Sequence, residues 1–490
     1  MDTTSSLGAR ALTGLIWNVA ATVLGKVFTF STRIAVLWFL TTDEVGVATW
    51  ALSLSQLVAV NGGMVVPALV QRGSNMEEMA SEGFWLGLLL ATCGGMFVLI
   101  GAPIAAYIYD APSLLPLMAV LACGHIAFGL APIGQARVSV RLRFRLEAGL
   151  NLLATVVGSA AMLVAAVAGA GAYALVVPLL AQAVAVTLTC NAFGLIPRPT
   201  RPSRAAMLQL AAPTGWIAAF GILAAARVGG MNLVLGGLRD ASTTGIFVSG
   251  FGLAGQTVFL LAENLRRVLF PSLVSIENDI ERQKNALMRL TRMLMLGVAI
   301  GCMIQAYAGP LLTPLLPARW AACGPVIFWL SAGLTTQPLS LVATSNFMSQ
   351  KRNHELAGWT AFQTLANVAG IALGAVFSHD IAGVAIGAAA GLVIGNLVAF
   401  AASLWHMGVA ERGLGAFLGR APVILVLMCL TGELLEAPAQ ALSPVAGALM
   451  LALPLGVVAL ISTRLLAPAD LREILQRTRL STIARALRLQ

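Results

Sequence analysis

Long apolar runs, each closed by charges or turn residues, set the pattern from one end of the chain to the other. They predict fourteen spans, near residues 12–40, 46–70, 80–109, 114–136, 148–168, 172–196, 206–236, 245–270, 290–316, 321–349, 357–378, 381–407, 416–435 and 442–466. A helix needs roughly 20 apolar residues to cross a bilayer, and the runs are about that long. Only residues 169–171 and 378–380 separate the members of two neighbouring pairs. The expected fold is an all-α integral membrane protein with about 14 transmembrane helices.

Loop charge orients them. With the N-terminus cytoplasmic, 25 of the 30 Lys and Arg residues fall in loops or the tail assigned inside, including Arg72, Arg137, Arg141, Arg143 and Arg145. Arg239 and Arg319 fall outside, and Lys26, Arg33 and Arg227 lie within spans. The outer turns carry Asp43, Glu44, Asp110, Asp240, Asp380, Glu433 and Glu436. This asymmetry follows the positive-inside rule, and a miscounted span would scramble it downstream. Both termini are expected in the cytoplasm. The first apolar run is too long for a cleavable signal, so the whole chain is expected to stay in the membrane.

Spans one to six repeat in spans seven to twelve. Thr13-Gly14 precedes Lys26 as Thr214-Gly215 precedes Arg227, Gly101-Ala-Pro103 answers Ala308-Gly-Pro310, Pro132 answers Pro338, and Glu147-Ala-Gly149 answers Glu355-Leu-Ala-Gly358. The predicted organisation is a six-helix bundle over 1–196, a second over 197–410, two further helices over 411–466 and a basic tail over 467–490. In the tail, Leu471, Ile474, Leu475, Ile483 and Leu487 sit at helical spacing among arginines. Such a pattern suits an interfacial helix on anionic membrane lipid, or a frayed basic end. Transporters built of two such halves bind their substrate where the halves meet.

Composition narrows the function. Of 490 residues, 58% are hydrophobic and 10% charged, against about 25% charged in soluble domains. The net charge of +10 comes from short clusters between spans, without the concentrated basic face that nucleic acid requires. The six cysteines lie singly, the four histidines are far apart, and Gly25-Lys26 lacks the upstream glycine of a phosphate-binding loop. No metal or cofactor site is expected, and no enzymatic set of Ser, His and Asp can be assembled.

The candidate chemistry lies in the intramembrane charges Lys26, Arg33, Arg227 and Glu263. A cation at the centre of a spanning helix costs roughly 2.5–3.5 kcal/mol even on the lenient insertion scale. Lys26 and Arg33 are seven residues apart, close to two turns, so they share one face. They and Arg227 either line a wet cationic cavity suited to phosphate or serve as structural pairs, and Arg33, nearing the outer end of its helix, could instead snorkel. Glu263, in Leu261-Ala-Glu-Asn-Leu-Arg-Arg267, reads as an ion-coupling group or as an ion-pair partner. The intramembrane amides, among them Asn151, Gln182, Gln337, Asn346, Gln363, Asn367 and Asn396, could touch sugar hydroxyls. Interhelical hydrogen bonding explains most residues of this kind.

Four segments carry a family resemblance: Leu40-Thr-Thr-Asp-Glu-Val-Gly46, Pro67-Ala-Leu-Val-Gln-Arg72, Phe84-Trp85 and Arg141-Leu-Arg-Phe144. In these the chain resembles the polysaccharide transport branch of the multidrug/oligosaccharidyl-lipid/polysaccharide exporter superfamily. The resemblance is strongest over about 10–200, and the repeat extends it to about 410. It implies a bacterial inner-membrane flippase for polyprenyl-diphosphate-linked oligosaccharide repeat units, serving exopolysaccharide (succinoglycan-like), capsule or O-antigen assembly. It also implies alternating access of two bundles around a basic cavity, with a polysaccharide polymerase and a chain-length regulator as partners. Lys26, Arg33 and Arg227 fit that cavity by location. Two other functions stand beside this one. A cation-coupled drug antiporter is disfavoured by the basic stripe, and a membrane glycan polymerase or ligase by the short outer loops.

Overall fold

The computed structural model describes residues 7–58, 62–70, 73–141, 143–196, 200–258, 280–350, 352–406 and 412–466. Within them the chain is helical throughout and divides into two compact units, Met1–Gly245 and Ile246–Gln490. The first unit contains α1 (Leu7–Leu37), α2 (Thr42–Val58), α3 (Val65–Val70), α4 (Ala80–Ile108), α5 (Leu114–Phe128), α6 (Pro132–Val140), α7 (Phe144–Val167), α8 (Tyr173–Ala192) and α9 (Arg204–Leu238). Helix α10 (Ala241–Ala254) begins there and continues into the second. The second holds α11 (Ile280–Ala308), α12 (Cys323–Leu334), α13 (Gln337–Ser349), α14 (Asn353–Phe377), α15 (Ile381–His406), α16 (Arg412–Gln440) and α17 (Pro444–Leu466).

Nine helices among the described residues are long and apolar enough to span a membrane, or eleven if two bent pairs each count as one span. The remaining expected spans fall on α1, on α2 with α3, and on α10. The side chains of α1 before Ala21 lie outside the described set, α2 is 17 residues long, and α10 runs 14 residues. The basic tail also lies outside the described residues.

The bent pairs bear on the repeat. Helices α5 and α6 meet at 43°, and the segment Ala318–Leu334 meets α13 at 42°. Pro132 is the first residue of α6 and Pro338 the second of α13, at the positions the repeat pairs. Proline fits the first turn of a helix but cannot bond back to the turn before it, so each span breaks at the same place. Pro103 and Pro310 differ: Pro103 sits inside α4, whereas Pro310 opens the 3-10 turn Pro310–Leu315.

Along most of α4 packing is inverted relative to a soluble bundle. From Ala91 onward the buried positions are small, with Ala91, Gly94, Gly95, Val98, Ala102 and Ala105 at helical spacing, while Ile100, Ile104, Tyr107 and Ile108 are exposed. Lipid solvates the large side chains, so small residues let the backbones approach. The segment beginning at Leu40 closes the turn into α2. The Thr41 amide donates to Glu44 Oε2 at 2.8 Å and the Glu44 amide donates to Thr41 Oγ1 at 3.2 Å, a reciprocal capping box. Gly46 then lies against the Ala241 carbonyl, where a Cβ would overlap it.

The repeat places the helix near 206–236 in the second half, yet α9 packs on α2 within the first unit. Asn232 Nδ2 donates to Ser53 Oγ at 3.1 Å, and a Cβ at Gly236 would overlap the Trp50 indole. Tyr109 stacks on Trp50 at 4.8 Å and donates to the Leu233 carbonyl at 3.0 Å. Membership in a repeat and membership in a packed unit are thus different properties of this helix.

Candidate functional site

Lys26 and Arg33 lie on one flank of α1, both half-buried and both with partners within the chain. The adjoining stripe of α1, Gly25, Thr32 and Val36, is buried, and Gly25 faces Thr155 of α7. The cations therefore border a packed seam. Arg227 is half-buried on α9. At about 100° per residue it points some 200° away from Gly229, which with Asn232 and Gly236 forms the face on α2. All three cations belong to the unit Met1–Gly245, although their helices have different main neighbours. Glu263 lies outside the described residues, as do Arg266 and Arg267.

The intramembrane amides divide into two groups. In the second unit they bond across helices, chiefly to Ser and Thr hydroxyls. Gln363 Nε2 donates to Ser340 Oγ at 2.8 Å, Asn396 Nδ2 donates to Thr336 Oγ1 at 3.1 Å, and Asn346 Nδ2 donates to Ser403 Oγ at 2.9 Å. In the first unit Asn151 and Gln182 join Gln135, Ser139 and Glu147 in lining a cavity of about 380 Å³ between α6, α7 and α8. A second cavity, of about 440 Å³, lies in the other unit, lined by Tyr307, Thr313, Phe328, Glu433, Glu436 and Gln440 among others. In the sequence pattern Glu433 and Glu436 count only as outer-turn acids. Their i, i+3 spacing is the signal that puts them on one helix face.

A clasp near the ends of α6 and α8 has no counterpart in the sequence pattern either. Glu77, in the 3-10 segment Gly73–Met79 that precedes the apolar run of α4, accepts from Arg137 Nη2 at 2.6 Å and from Arg141 Nη2 at 2.9 Å. Arg137 Nη1 also donates to the Leu195 carbonyl at 2.7 Å. Partial burial pushes the Glu77 carboxyl up, but hydrogen bonds and charge from the two guanidiniums outweigh it and hold the group below its ordinary 4.5. A carboxyl depressed on folding contributes stability above its unfolded value and loses it as pH falls through the folded value. Glu77→Gln should therefore lower the melting temperature in detergent at pH 7, and the difference should close as the pH drops well below 4.5. Glu77 is 44% exposed, so solvent screening holds the effect to about 1 kcal/mol. A gap between variant and parent that is unchanged at low pH would contradict this account.

Comparison with known proteins covers most of the chain. The family described as "Polysaccharide biosynthesis protein" matches residues 36–325. The succinoglycan biosynthesis transport protein ExoT of Rhizobium meliloti (strain 1021) is 24% identical over 454 residues, covering 87% of this chain and 86% of that protein. Among solved structures, the lipid II flippase MurJ in an inward closed conformation aligns with a TM-score of 0.65 at 12% identity, over 90% of this chain and 98% of the other. An inward-facing multidrug resistance MATE family transporter of the MOP superfamily aligns at 0.62 and 16% identity, over 80% and 98%. At these identities the two structures establish the fold alone. That fold is the one implied by the four sequence segments.

Proposed function

Because the chain belongs to the polysaccharide biosynthesis protein family, we propose that it is a flippase for a polyprenyl-diphosphate-linked oligosaccharide. It would carry the repeat unit from the inner to the outer leaflet of the bacterial inner membrane during exopolysaccharide, capsule or O-antigen assembly. A polysaccharide polymerase and a chain-length regulator would then receive the unit. The observation that carries the reading beyond the family is the set of three basic side chains held within apolar helices, Lys26 and Arg33 on α1 and Arg227 on α9. A charge kept inside a spanning helix is costly, so a basic side chain there points to a functional site. Phosphate is the anion that Arg and Lys match best. The relative's printed role in succinoglycan transport agrees with such a passenger. The distribution of Lys and Arg supports fourteen spans with cytoplasmic termini, and the repeat supports alternating access between two six-helix bundles around the cations.

The likeness to a multidrug transporter keeps one rival in view, export of a small cation. The charge at Lys26, Arg33 and Arg227 opposes it, since the same groups that attract phosphate repel an organic cation. The experiment uses the full chain in sealed vesicles with a fluorescent polyprenyl-diphosphate oligosaccharide. The label should become accessible to a membrane-impermeant reductant on the far side only in vesicles that contain the protein. If that label stays protected while a cationic dye is moved, the rival reading replaces this one.

A further inference from the structure

The cavity of about 440 Å³ in the second unit is lined by two carboxylates, with no Lys or Arg among its lining residues. Its volume falls in the usual range of small-molecule sites, about 300–1,000 Å³. One wall is aromatic. The Tyr307 ring is 5% exposed and lies so close to Gly432 that a Cβ there would come within 2.5 Å of it. Phe328 meets that ring edge to face at 5.2 Å. The adjoining wall carries acceptors on α16. The Tyr307 hydroxyl lies 3.1 Å from Glu433 Oε1 and donates between it and the Cys429 carbonyl at 3.2 Å. Gln440 Nε2 donates to Glu436 Oε1 at 2.9 Å. The partners shown for the two glutamates, Tyr307 and Gln440, are neutral, and Thr313 adds a hydroxyl to the lining.

These parts suit one class of ligand. Carboxylates held by neutral donors keep free lone pairs and accept strongly from hydroxyl groups. An aromatic face takes the C–H face of a sugar ring. Two carboxylates in a lining that holds no cation disfavour phosphate and uronate. We propose that this pocket is a saccharide subsite for a neutral or amino-bearing sugar, with Glu433 and Glu436 as hydroxyl acceptors and Phe328 as the stacking platform. Tyr307 is the positioning residue, clamped by Gly432 and fixing the Glu433 carboxylate. The inference deepens the flippase reading and rests on it for biological meaning. On the loop-charge orientation the pocket lies at the outer end of the second unit, where a glycan would arrive after translocation. An acidic subsite there would hold the sugar while rejecting the diphosphate that the cations attract.

The test measures binding of free trisaccharides to the full chain in nanodiscs by saturation-transfer NMR, with no lipid carrier present. The probes are a neutral glucose trisaccharide, a glucosamine trisaccharide and a galacturonate trisaccharide. The expected order is amino, then neutral, then uronate, with about a tenfold gap between neutral and uronate. Glu433→Gln combined with Glu436→Gln should close the gap between the charged probes to within about twofold. Phe328→Ala should weaken the neutral probe by about tenfold, the effect of losing a stacking face. If Phe328→Ala does not purify as a monodisperse protein, Glu436→Gln alone carries the comparison of the charged probes. The proposal is overturned if the neutral probe shows no transfer, if uronate binds as well as neutral sugar, or if the double variant keeps the full discrimination. It is equally overturned if calcium binds the acids and no saccharide does. Saccharide binding without lipid-precursor transport would leave the pocket standing and remove the flippase reading.

Discussion

Replacing Lys26 and Arg227 together by alanine is expected to leave the lipid-linked precursor on the cytoplasmic leaflet and to stop polymer production. Both side chains lie half-buried on helices of the first unit, and Arg227 points away from the face that packs on α2. Hydrogen bonds to charged groups contribute about 1.5–3 kcal/mol each, so loss of two should slow translocation by about a hundredfold or more. Lys26 also has partners within the chain, and its loss alone can alter packing along the seam with α7. The charge-preserving pair Lys26→Arg and Arg227→Lys separates the two effects. It should retain most of the transport, whereas the alanine pair should lose it at equal protein abundance. Leaflet exposure of a labelled precursor is the measurement. Undiminished flipping by the alanine pair would remove the cations from the passenger's path.

These cations are legible in sequence because the cost of a charge in an apolar helix needs no tertiary information. The bends are only partly legible. Pro132 and Pro338 stand at matching points of two spans that break by nearly the same angle, yet Pro103 sits inside α4 without a break. The capping box at Thr41 and Glu44 is legible as a motif but not as a cap, because its meaning lies in a reciprocal pair of backbone bonds. The clasp of Glu77 with Arg137 and Arg141 is hidden because 60 and 64 residues separate its partners. In sequence those arginines are only loop charge. The saccharide pocket is hidden for the same reason, since Tyr307, Phe328 and Glu433 come from three different helices. Helix α9 shows a further limit. Its repeat pattern ties it to the second half, while small residues at Gly229 and Gly236 and the amide of Asn232 fit it to α2. Pattern records ancestry and periodicity, whereas the choice of neighbour depends on shape.

Gly387→Leu should be the most destabilising single substitution in the second unit. Helices α14 and α15 are held at backbone contact along Gly370, Gly374, Gly387 and Gly391. A Cβ at Gly387 would overlap the Gly370 carbonyl oxygen, and one at Gly370 would overlap the Gly387 carbonyl oxygen. The obstacle is main chain, so no rotamer change can relieve it. With no water to expel between helices in a bilayer, association depends on close packing, and a leucine here separates the whole seam. Overpacking in a well-filled core costs about 1–3 kcal/mol when side chains can shift, and a clash with backbone should exceed that. The contrast lies within the same protein. A Cβ added at Gly101 in α4 or at Gly456 in α17 would meet nothing within 4 Å, so alanine at either should leave stability unchanged or raise it slightly. Thermal unfolding in detergent should show a large drop for Gly387→Leu and none for Gly101→Ala or Gly456→Ala. If all three behave alike, the seam between α14 and α15 is not closed by backbone contact. The buried amides Gln363 and Asn396, which bond to each other across it, would then be what holds the two helices together.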